Sequence, residues 1–443
     1  MTRVAYPEFR PAALPRWALV RQRLDARELD DVAAATRAAL GPVMGTVRPG
    51  TRACVAAGSR GIDRIDVVVK SVVDRLREAG AEVFIVPAMG SHGGATAAGQ
   101  LEVLAGYGIT PESMGCEVRS SMETVDLGEV LPGVPVFVDR NAFEGADLIV
   151  PVNRVKPHTG FTGPVESGLM KMLAIGLGKQ KGADTFHRQC YDQFARLIPA
   201  VARHTIARAP VGFGVALVEN GHARLSRVEA IPADRIETRE AELLAEARAA
   251  MARLPLEAID VLLLDVIGKD VSGTGMDPNV VGRGKEGDEE AGAGPRIGRI
   301  VVRGLTQATE GNASGIGFAD VALRRAVEAM DERKTYLNGI TAKDVEGAKI
   351  PVVADTDEDA LGMALAACLR VEAPTARIVR ALSTKHLELL WISEPALADA
   401  LATGRCEVVG PPRPITFDAD GMLAGDMADN LAGDMAHEPP CEG

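Results

Sequence analysis

The sequence lacks the features that mark several large classes of protein. None of its apolar runs reaches the roughly 18 residues that a membrane helix needs, and its first residues lack the apolar core of a signal peptide. It has no basic tract, and 49 lysines and arginines face 61 aspartates and glutamates, which argues against nucleic-acid binding. Its six cysteines include no C-x-x-C pair, so neither a zinc knuckle nor a disulfide framework is indicated. These absences predict a cytoplasmic protein that binds neither membrane nor nucleic acid.

Apolar residues are plentiful and regularly spaced. With 443 residues, 47% hydrophobic and 25% charged, the chain is long enough for two domains or more. Predicted strands at 52–57, 82–87 and 147–152 alternate with helices at 62–79 and 95–106, and a second alternating region begins with a strand at 259–265. This order predicts an α/β fold of two domains, each a mostly parallel sheet with flanking helices, and an active site in the cleft between them. The predicted boundaries are 1–254, 255–418 and a flexible acidic tail at 419–443.

Three of the predicted strands end in turns that carry chemically capable side chains. The turns read G-S-R at 58–60, G-S-H-G-G at 90–94 and K-P-H at 156–158. If the strands are neighbours in a parallel sheet, Arg60, His92 and His158 face one crevice, because ligands collect at the carboxyl ends of such strands. A single glycine after a strand mostly marks a tight turn. Three such turns on one edge indicate an anion-binding and acid/base site.

Residues 153–190 continue from the third turn with enough apolar side chains to be packed inside the protein. We predict a helix at 165–176, entered from a glycine-rich turn and left at a glycine. Lys171 then lies on a mostly apolar helix, where partial burial makes an amine available for covalent chemistry. His187 follows sixteen residues later. Taken alone, Lys171 could be a surface lysine and His187 an ordinary hydrogen-bonded histidine, neither with a role in function. Their clustering after a strand favours a functional role for both.

These motifs, taken in order, resemble those of one known family. The G-S-R turn, the G-S-H turn, the P-H-x-G-F-x-G run at 157–163, Lys171 and His187 are similar to the amino-terminal domain of the nickel-dependent lactate racemases. The resemblance covers roughly residues 45–250 and extends more loosely into the second domain. It implies an isomerase that inverts the α-carbon of a 2-hydroxy acid by proton-coupled hydride transfer.

The resemblance also implies a cofactor and a role for each matching residue. The cofactor is nickel held by a pyridinium-3-thioamide-5-thiocarboxylic acid mononucleotide, which cofactor-synthesis enzymes supply. Its sulfur, carbon, sulfur and imidazole donors suit square-planar nickel better than tetrahedral zinc. By the resemblance, the acid/base residues are His92 and His158. The covalent tether is Lys171, and the metal ligand is His187. Further cofactor contacts are Ser59, Arg60 and Ser91, and substrate contacts are Lys285 and Arg283.

The sequence also departs from the family at the substrate side. Ala57 stands where the family has an acidic residue, and Val281 and Gly282 stand where lactate racemase has tyrosine and glutamine. These differences predict a substrate other than lactate, namely a larger or more polar 2-hydroxy acid. Glu166 is the candidate residue for binding the hydroxyl groups of that substrate. Two alternatives remain open at this point: an oxidoreductase that uses the same cofactor, and a non-catalytic protein that binds small anions on the same fold.

Overall fold

The computed structural model describes residues 4–58, 61–189, 191–283, 294–425 and 427, and leaves out the side chains of His187 and Tyr191. Two compact units account for the chain, one formed by residues 25–251 and the other by 1–24 together with 252–443. Among the described residues, no helix combines the length and apolarity that crossing a bilayer requires.

Strands in the described part of the chain fall into two large sheets and one small one. They are β1 (Arg16–Gln22), β2 (Arg52–Ala57), β3 (Glu82–Pro87), β4 (Glu117–Val118), β5 (Thr124–Leu131), β6 (Val134–Asp139), β7 (Leu148–Arg154), β8 (Phe213–Glu219), β9 (Leu225–Pro232), β10 (Ala258–Leu264), β11 (Arg296–Val302), β12 (Val321–Leu323), β13 (Val352–Ala354), β14 (Ile378–Ala381), β15 (Leu389–Ser393), β16 (Cys406–Val408) and β17 (Arg413–Pro414).

Most helices connect successive strands. They are α1 (Val32–Leu40), α2 (Ile65–Glu78), α3 (Ala97–Gly106), α4 (Pro111–Met114), α5 (Arg140–Gly145), α6 (Leu169–Lys171), α7 (Lys179–His187), α8 (Phe194–Arg208), α9 (Ile236–Ala250), α10 (Pro278–Val281), α11 (Arg324–Glu328), α12 (Glu332–Thr341), α13 (Asp357–Ala366) and α14 (Glu394–Ala402). A π-helical segment, Met172–Gly176, continues directly from α6.

The unit of residues 25–251 is built on a six-stranded sheet with the order β4-β3-β2-β7-β8-β9. The first five strands run parallel and β9 is antiparallel to β8. Alternate residues of β2 enter different cores: Val55 packs with α2 on one face, whereas Cys54 and Ala56 pack with the helical segments at 169–187 and α8 on the other. Such a strand is buried on both sides, which explains its continuous apolar sequence.

The other unit contains a nine-stranded sheet, in which β13-β12-β11-β10-β14 run parallel. Strands β15, β1 and β16 extend that sheet in antiparallel pairs, and β17 also pairs with β1. The predicted α/β class with mostly parallel sheets is therefore confirmed. The predicted first domain spans 1–254, whereas residues 1–24 belong to this second unit. Strand β1 is part of the second sheet, and Trp17 packs against Trp391, with ring centroids 5.3 Å apart.

Several predicted elements differ from the observed ones. The sequence also predicts a helix at 316–331, but this stretch contains strand β12, since Val321–Leu323 is buried between β11 and β13. The predicted tail at 419–443 begins inside the structure: Leu423 and Met427 are buried in the core of the second unit. The amide of Leu423 donates to Asp357 Oδ2 over 2.8 Å, which fixes this stretch; residues 426 and 428–443 lie outside the described part of the chain.

Candidate functional site

The three turns singled out in the sequence leave the same edge of one sheet. Strands β3, β2 and β7 are adjacent and parallel, so their carboxyl ends lie side by side. The turn after β2 begins at Gly58, and its next residues, Ser59 and Arg60, lie outside the described part of the chain. A Cβ atom on Gly58 would meet Asn153 Oδ1 at 2.6 Å and Met172 Cε at 3.1 Å. The first turn therefore starts in close contact with the segment that follows Lys171.

The helix predicted at 165–176 is shorter and partly irregular. Residues 165–168 are not helical: Ser167 forms an antiparallel bridge with Lys156, and the helix begins only at Leu169. After Lys171 the backbone takes π-helical geometry, with the amide of Leu177 donating to the carbonyl of Met172 over 2.9 Å. Lys171 is half-buried at this junction. Single π-helical turns are rare and are frequently found at functional sites, which agrees with a role for Lys171.

Gly90 joins the G-S-H turn to the helical segments at 172–187. Its amide donates to the carbonyl of Gly176 over 3.0 Å, and its φ is +62°, a conformation that favours glycine. A Cβ atom at this position would lie 3.5 Å from Ile175 and 3.7 Å from Ala183. The turn that carries Ser91 and His92 therefore packs against both the π-helical segment and α7, the helix that ends at His187.

A buried lysine that sequence analysis missed lies beneath this turn. Lys179 is fully buried, has a φ of +53°, and forms an ion pair of 2.9 Å with the equally buried Asp139. Its ammonium also donates to the carbonyl of Pro87 over 2.5 Å and to Gln100 Oε1 over 3.0 Å. Burial lowers the pKa of Lys179, and the charge of Asp139 opposes that shift.

Gln100 carries this network to the backbone of the turn. Its side-chain amide donates to the carbonyl of Gly90 over 2.8 Å and to that of His92 over 3.3 Å. The carbonyl groups of Gly90 and His92 are thus fixed by a chain of hydrogen bonds that ends at Lys179. The network therefore fixes the backbone of the turn that carries His92.

The loop that carries His158 is held by Glu166. The Glu166 carboxylate accepts the amide of His158 over 2.6 Å and the amide of Gly163 over 2.9 Å, and it forms an ion pair with Arg248 of α9. Glu166 is only 2% exposed. These contacts give the side chain a structural function in the loop; the contact with substrate hydroxyls that the sequence suggested stays a prediction.

Replacing Glu166 with glutamine should loosen this loop. Glutamine keeps the size of the side chain but loses the charge that binds two amides and Arg248, and hydrogen bonds to charged groups are the stronger ones. We expect amide hydrogen exchange in residues 157–163 to quicken about tenfold or more, corresponding to roughly 1.4 kcal/mol or more of lost local stability. Exchange mass spectrometry tests this, with exposed Glu242→Gln as the control. Equal exchange in wild type and Glu166→Gln would contradict the assignment.

The ring of His158 has a defined hydrogen-bonding arrangement. The amide of Gly160 donates to His158 Nδ1 over 2.9 Å, and the ring packs against Phe161 with centroids 4.4 Å apart. Because Nδ1 accepts, the proton of the neutral imidazole is assigned to Nε2. In this arrangement His158 offers a donor at Nε2.

Glu240 is a second buried charge that the sequence did not reveal. The charged sequence at 235–253 predicts a solvated helix, but α9 buries one face, including Glu240, Leu243 and Leu244. The Glu240 carboxyl group accepts the amide of Met170 over 3.0 Å. Complete burial raises its pKa to about 7, despite that hydrogen bond.

The pKa of Glu240 predicts a specific loss of stability with rising pH. The pKa is raised from its ordinary value of 4.5 to about 7 in the folded protein. Glu240 therefore stabilises the fold most below pH 4.5, and this contribution falls by about 3 kcal/mol as the pH rises to 7. Glu240→Gln should remove that dependence, so the difference in unfolding free energy between variant and wild type should shift in the variant's favour between pH 5 and pH 8. Urea denaturation at both values tests this; an unchanged difference would contradict it.

The two predicted substrate residues of the other unit are Lys285 and Arg283. Lys285 lies outside the described part of the chain. Arg283 pairs with Asp320 at 2.7 Å and donates to the carbonyls of Phe318 and Gly298 over 2.8 Å and 3.0 Å. These partners lie towards the amino ends of β11 and β12, whereas ligands of parallel sheets usually bind at the carboxyl ends. A substrate role for Lys285 and Arg283 stays a prediction.

Buried charges at the carboxyl edge of that unit's parallel strands pair with one another. Arg303, which follows β11, contacts Asp357 at 2.7 Å and Asp265 at 2.6 Å. Arg380 of β14 donates to both oxygens of Asp265 over 2.8 Å. All four side chains are nearly inaccessible to solvent. The arrangement joins the ends of three strands through charge-assisted hydrogen bonds, and sequence analysis gave these residues no role.

Within the described residues, no group of three or more histidine, cysteine, aspartate or glutamate side chains lies close enough together to hold a metal ion. The predicted metal ligand, His187, is not among these side chains, because its own side chain is not described.

Comparison with known proteins places these observations beside a solved structure. The fold and site define an α/β protein with a candidate site at the carboxyl edge of a parallel sheet. The chain is similar to the lactate racemase apoprotein from Thermoanaerobacterium thermosaccharolyticum, with 13% identity and a TM-score of 0.44 over 81% of this chain and 96% of that one. No protein-family model matches the chain, and no curated protein matches its sequence. A likeness of this extent assigns no function by itself.

Proposed function

We propose that this chain is an isomerase that inverts the α-carbon of a 2-hydroxy acid, as a racemase or epimerase. One observation carries the proposal: the turns at 58 and 90–92 follow adjacent parallel strands and contact the segment that begins at Lys171. That arrangement brings two of the motif turns to the segment that begins at Lys171. The order of the motifs in the sequence, which resembles the nickel-dependent lactate racemases, also supports the proposal.

The residues of this site fit a nickel-pincer nucleotide. Lys171 offers a half-buried amine for covalent attachment, and α7, which ends at His187, packs through Ala183 against Gly90 of the same site. In the proposal Lys171 is the tether, His187 is the nickel ligand, and Ser59, Arg60 and Ser91 hold the anionic phosphate. When bound, the nucleotide would supply an acceptor for the hydride that leaves the substrate's α-carbon.

The chain's own contribution to the reaction is to hold the substrate and move one proton. His92 and His158 are proposed to exchange a proton with the substrate hydroxyl, one for each enantiomer. In the arrangement described, the neutral His158 ring donates a hydrogen bond from Nε2 and cannot take up a proton there, since Gly160 occupies Nδ1. To accept a proton at Nε2, the neutral ring must carry its proton on Nδ1. A protonated Nδ1 cannot accept the Gly160 amide, so that hydrogen bond must open. Substrate binding is therefore expected to shift the loop at 157–163.

Substrate labelled with deuterium at the α-carbon tests the proposed reaction against its alternatives. The protein, produced together with the cofactor-synthesis enzymes, is incubated with single enantiomers of a panel of 2-hydroxy acids. Inversion with the deuterium retained supports the proposal, because the hydride leaves and returns at the same site. Net keto acid formation would indicate an oxidoreductase, and binding without turnover by a cofactor-loaded protein would indicate a small-anion-binding protein; either result would overturn the proposal.

A further inference from the structure

Glu240 contacts the backbone immediately before Lys171, although it lies 69 residues further along the chain. Its Oε2 accepts the amide of Met170 over 3.0 Å, and the preceding Leu169 amide also favours the ionised form of the carboxyl group. The helix has no capping side chain at its own first position, Gly168. Glu240 of α9 therefore satisfies amide donors at the start of this helix from a separate helix.

Gly168 is shaped to this contact. A Cβ atom at position 168 would lie 2.5 Å from Glu240 Oε1 and 2.6 Å from Oε2, closer than atoms approach without one of them moving. The carbonyl of Gly168 accepts Asn153 Nδ2 over 2.8 Å and the amide of Met172 over 3.1 Å. The residues just before Lys171 are thus held from two sides, by the end of β7 and by α9.

The carboxyl group is held at a high energetic cost in its ionised form. Glu240 is fully buried, and among the described residues no donor lies within hydrogen-bonding distance of its Oε1. Glu237, one turn earlier on α9, adds a like charge, and Glu237 itself pairs with Arg203 of α8 at 3.1 Å. The segment at 168–170 faces the carboxyl group with backbone amides. A buried charge of this kind is unfavourable for stability, which points to a function at the helix that it contacts.

We propose that Glu240 is a positioning residue for Lys171: it fixes the first turn of the helix and thereby the direction and accessibility of the Lys171 amine. This inference rests on the proposed function only in taking Lys171 as the reactive amine. Loss of the carboxyl group leaves the amide of Met170 without its acceptor, and Lys171 is the next residue along the chain. The protonation state of Glu240 then changes how firmly that turn is held.

Competitive acetylation of the protein without cofactor tests this proposal. Acetic anhydride is reacted with wild type, Glu240→Gln, Glu240→Ala and the exposed control Glu242→Gln between pH 6 and pH 9. Mass spectrometry measures acetylation of Lys171 relative to exposed Lys181 of the neighbouring helix. We expect a step near pH 7 in the wild-type profile, with Glu240→Gln lacking it and Glu242→Gln retaining it. In Glu240→Ala, Lys171 should react about threefold faster or more, and amides 169–171 should exchange about tenfold faster.

Two outcomes would overturn the proposal. One is a folded Glu240→Ala protein whose Lys171 acetylation and amide exchange equal those of wild type. The other, which decides the matter if Glu240→Ala does not fold, is a Glu240→Gln profile that superimposes on the wild-type profile. Because no cofactor is used, the expected result together with an unmodified Lys171 in cofactor-loading experiments would keep the positioning role and reject the proposed attachment.

Discussion

Replacing Lys179 with methionine should lower the free energy of unfolding of the 25–251 unit by about 3–5 kcal/mol, the usual cost of leaving one charge of a buried pair alone. Asp139 would remain in a site without solvent exposure, and the carbonyl of Pro87 and Gln100 Oε1 would each lose a donor. The effect should reach the candidate site, because Gln100 also holds the backbone of Gly90 and His92.

Urea denaturation together with hydrogen exchange measures this effect. The matched control is Lys181→Met, an exposed position on the same helix, which should change stability by about 0.5 kcal/mol or less. Adding Asp139→Asn to Lys179→Met should recover about 1 kcal/mol or more, since the stranded charge is removed. A Lys179→Met protein as stable as the Lys181→Met control would show that the buried pair does not support the fold.

Replacing either His92 or His158 with glutamine should lower the rate of inversion by about 10²–10⁴-fold, the range attributed to general acid–base catalysis. Glutamine can still form hydrogen bonds but cannot carry a proton between substrate and site. Inversion should fail in both directions, because each turnover uses both histidines. Stability should change little, because both side chains lie in turns at the edge of the sheet.

Rates are measured with the substrate that the deuterium screen identifies, in protein shown by mass to carry the same amount of cofactor. His222→Gln is the matched control, since His222 is an exposed residue of a hairpin turn elsewhere in the same unit. Unchanged inversion by fully loaded His92→Gln and His158→Gln proteins would contradict the proposed roles of both residues.

The strands that build the site could be predicted from sequence because their signal is local. Arg52–Ala57 and Glu82–Pro87 were predicted with the observed boundaries. Each is a short apolar run bounded by glycine or proline, and a strand buried on both faces needs such a run. The alternation with helices also predicted that β2, β3 and β7 are parallel, which places their turns on one edge.

The network that holds the site could not be predicted because it depends on tertiary burial. Lys179 and Glu240 lie in segments rich in charge, where a charged residue is usually solvated, and local sequence does not reveal a partner such as Asp139 forty residues away. Strand β1 is similar: its pairing with β15 joins residues more than 350 positions apart. The late start of the helix predicted at 165–176 follows from the bridge between Lys156 and Ser167, another contact outside the helix.

Intact mass combined with nickel content tests the central claim most directly. Wild type, Lys171→Ala and the control Lys181→Ala are produced with the pincer-synthesis enzymes, and a known racemase loaded in parallel shows that cofactor supply works. The account predicts a covalent adduct with about one nickel per chain in wild type and Lys181→Ala, and neither in Lys171→Ala. An unmodified, nickel-free wild type beside a loaded racemase would contradict it.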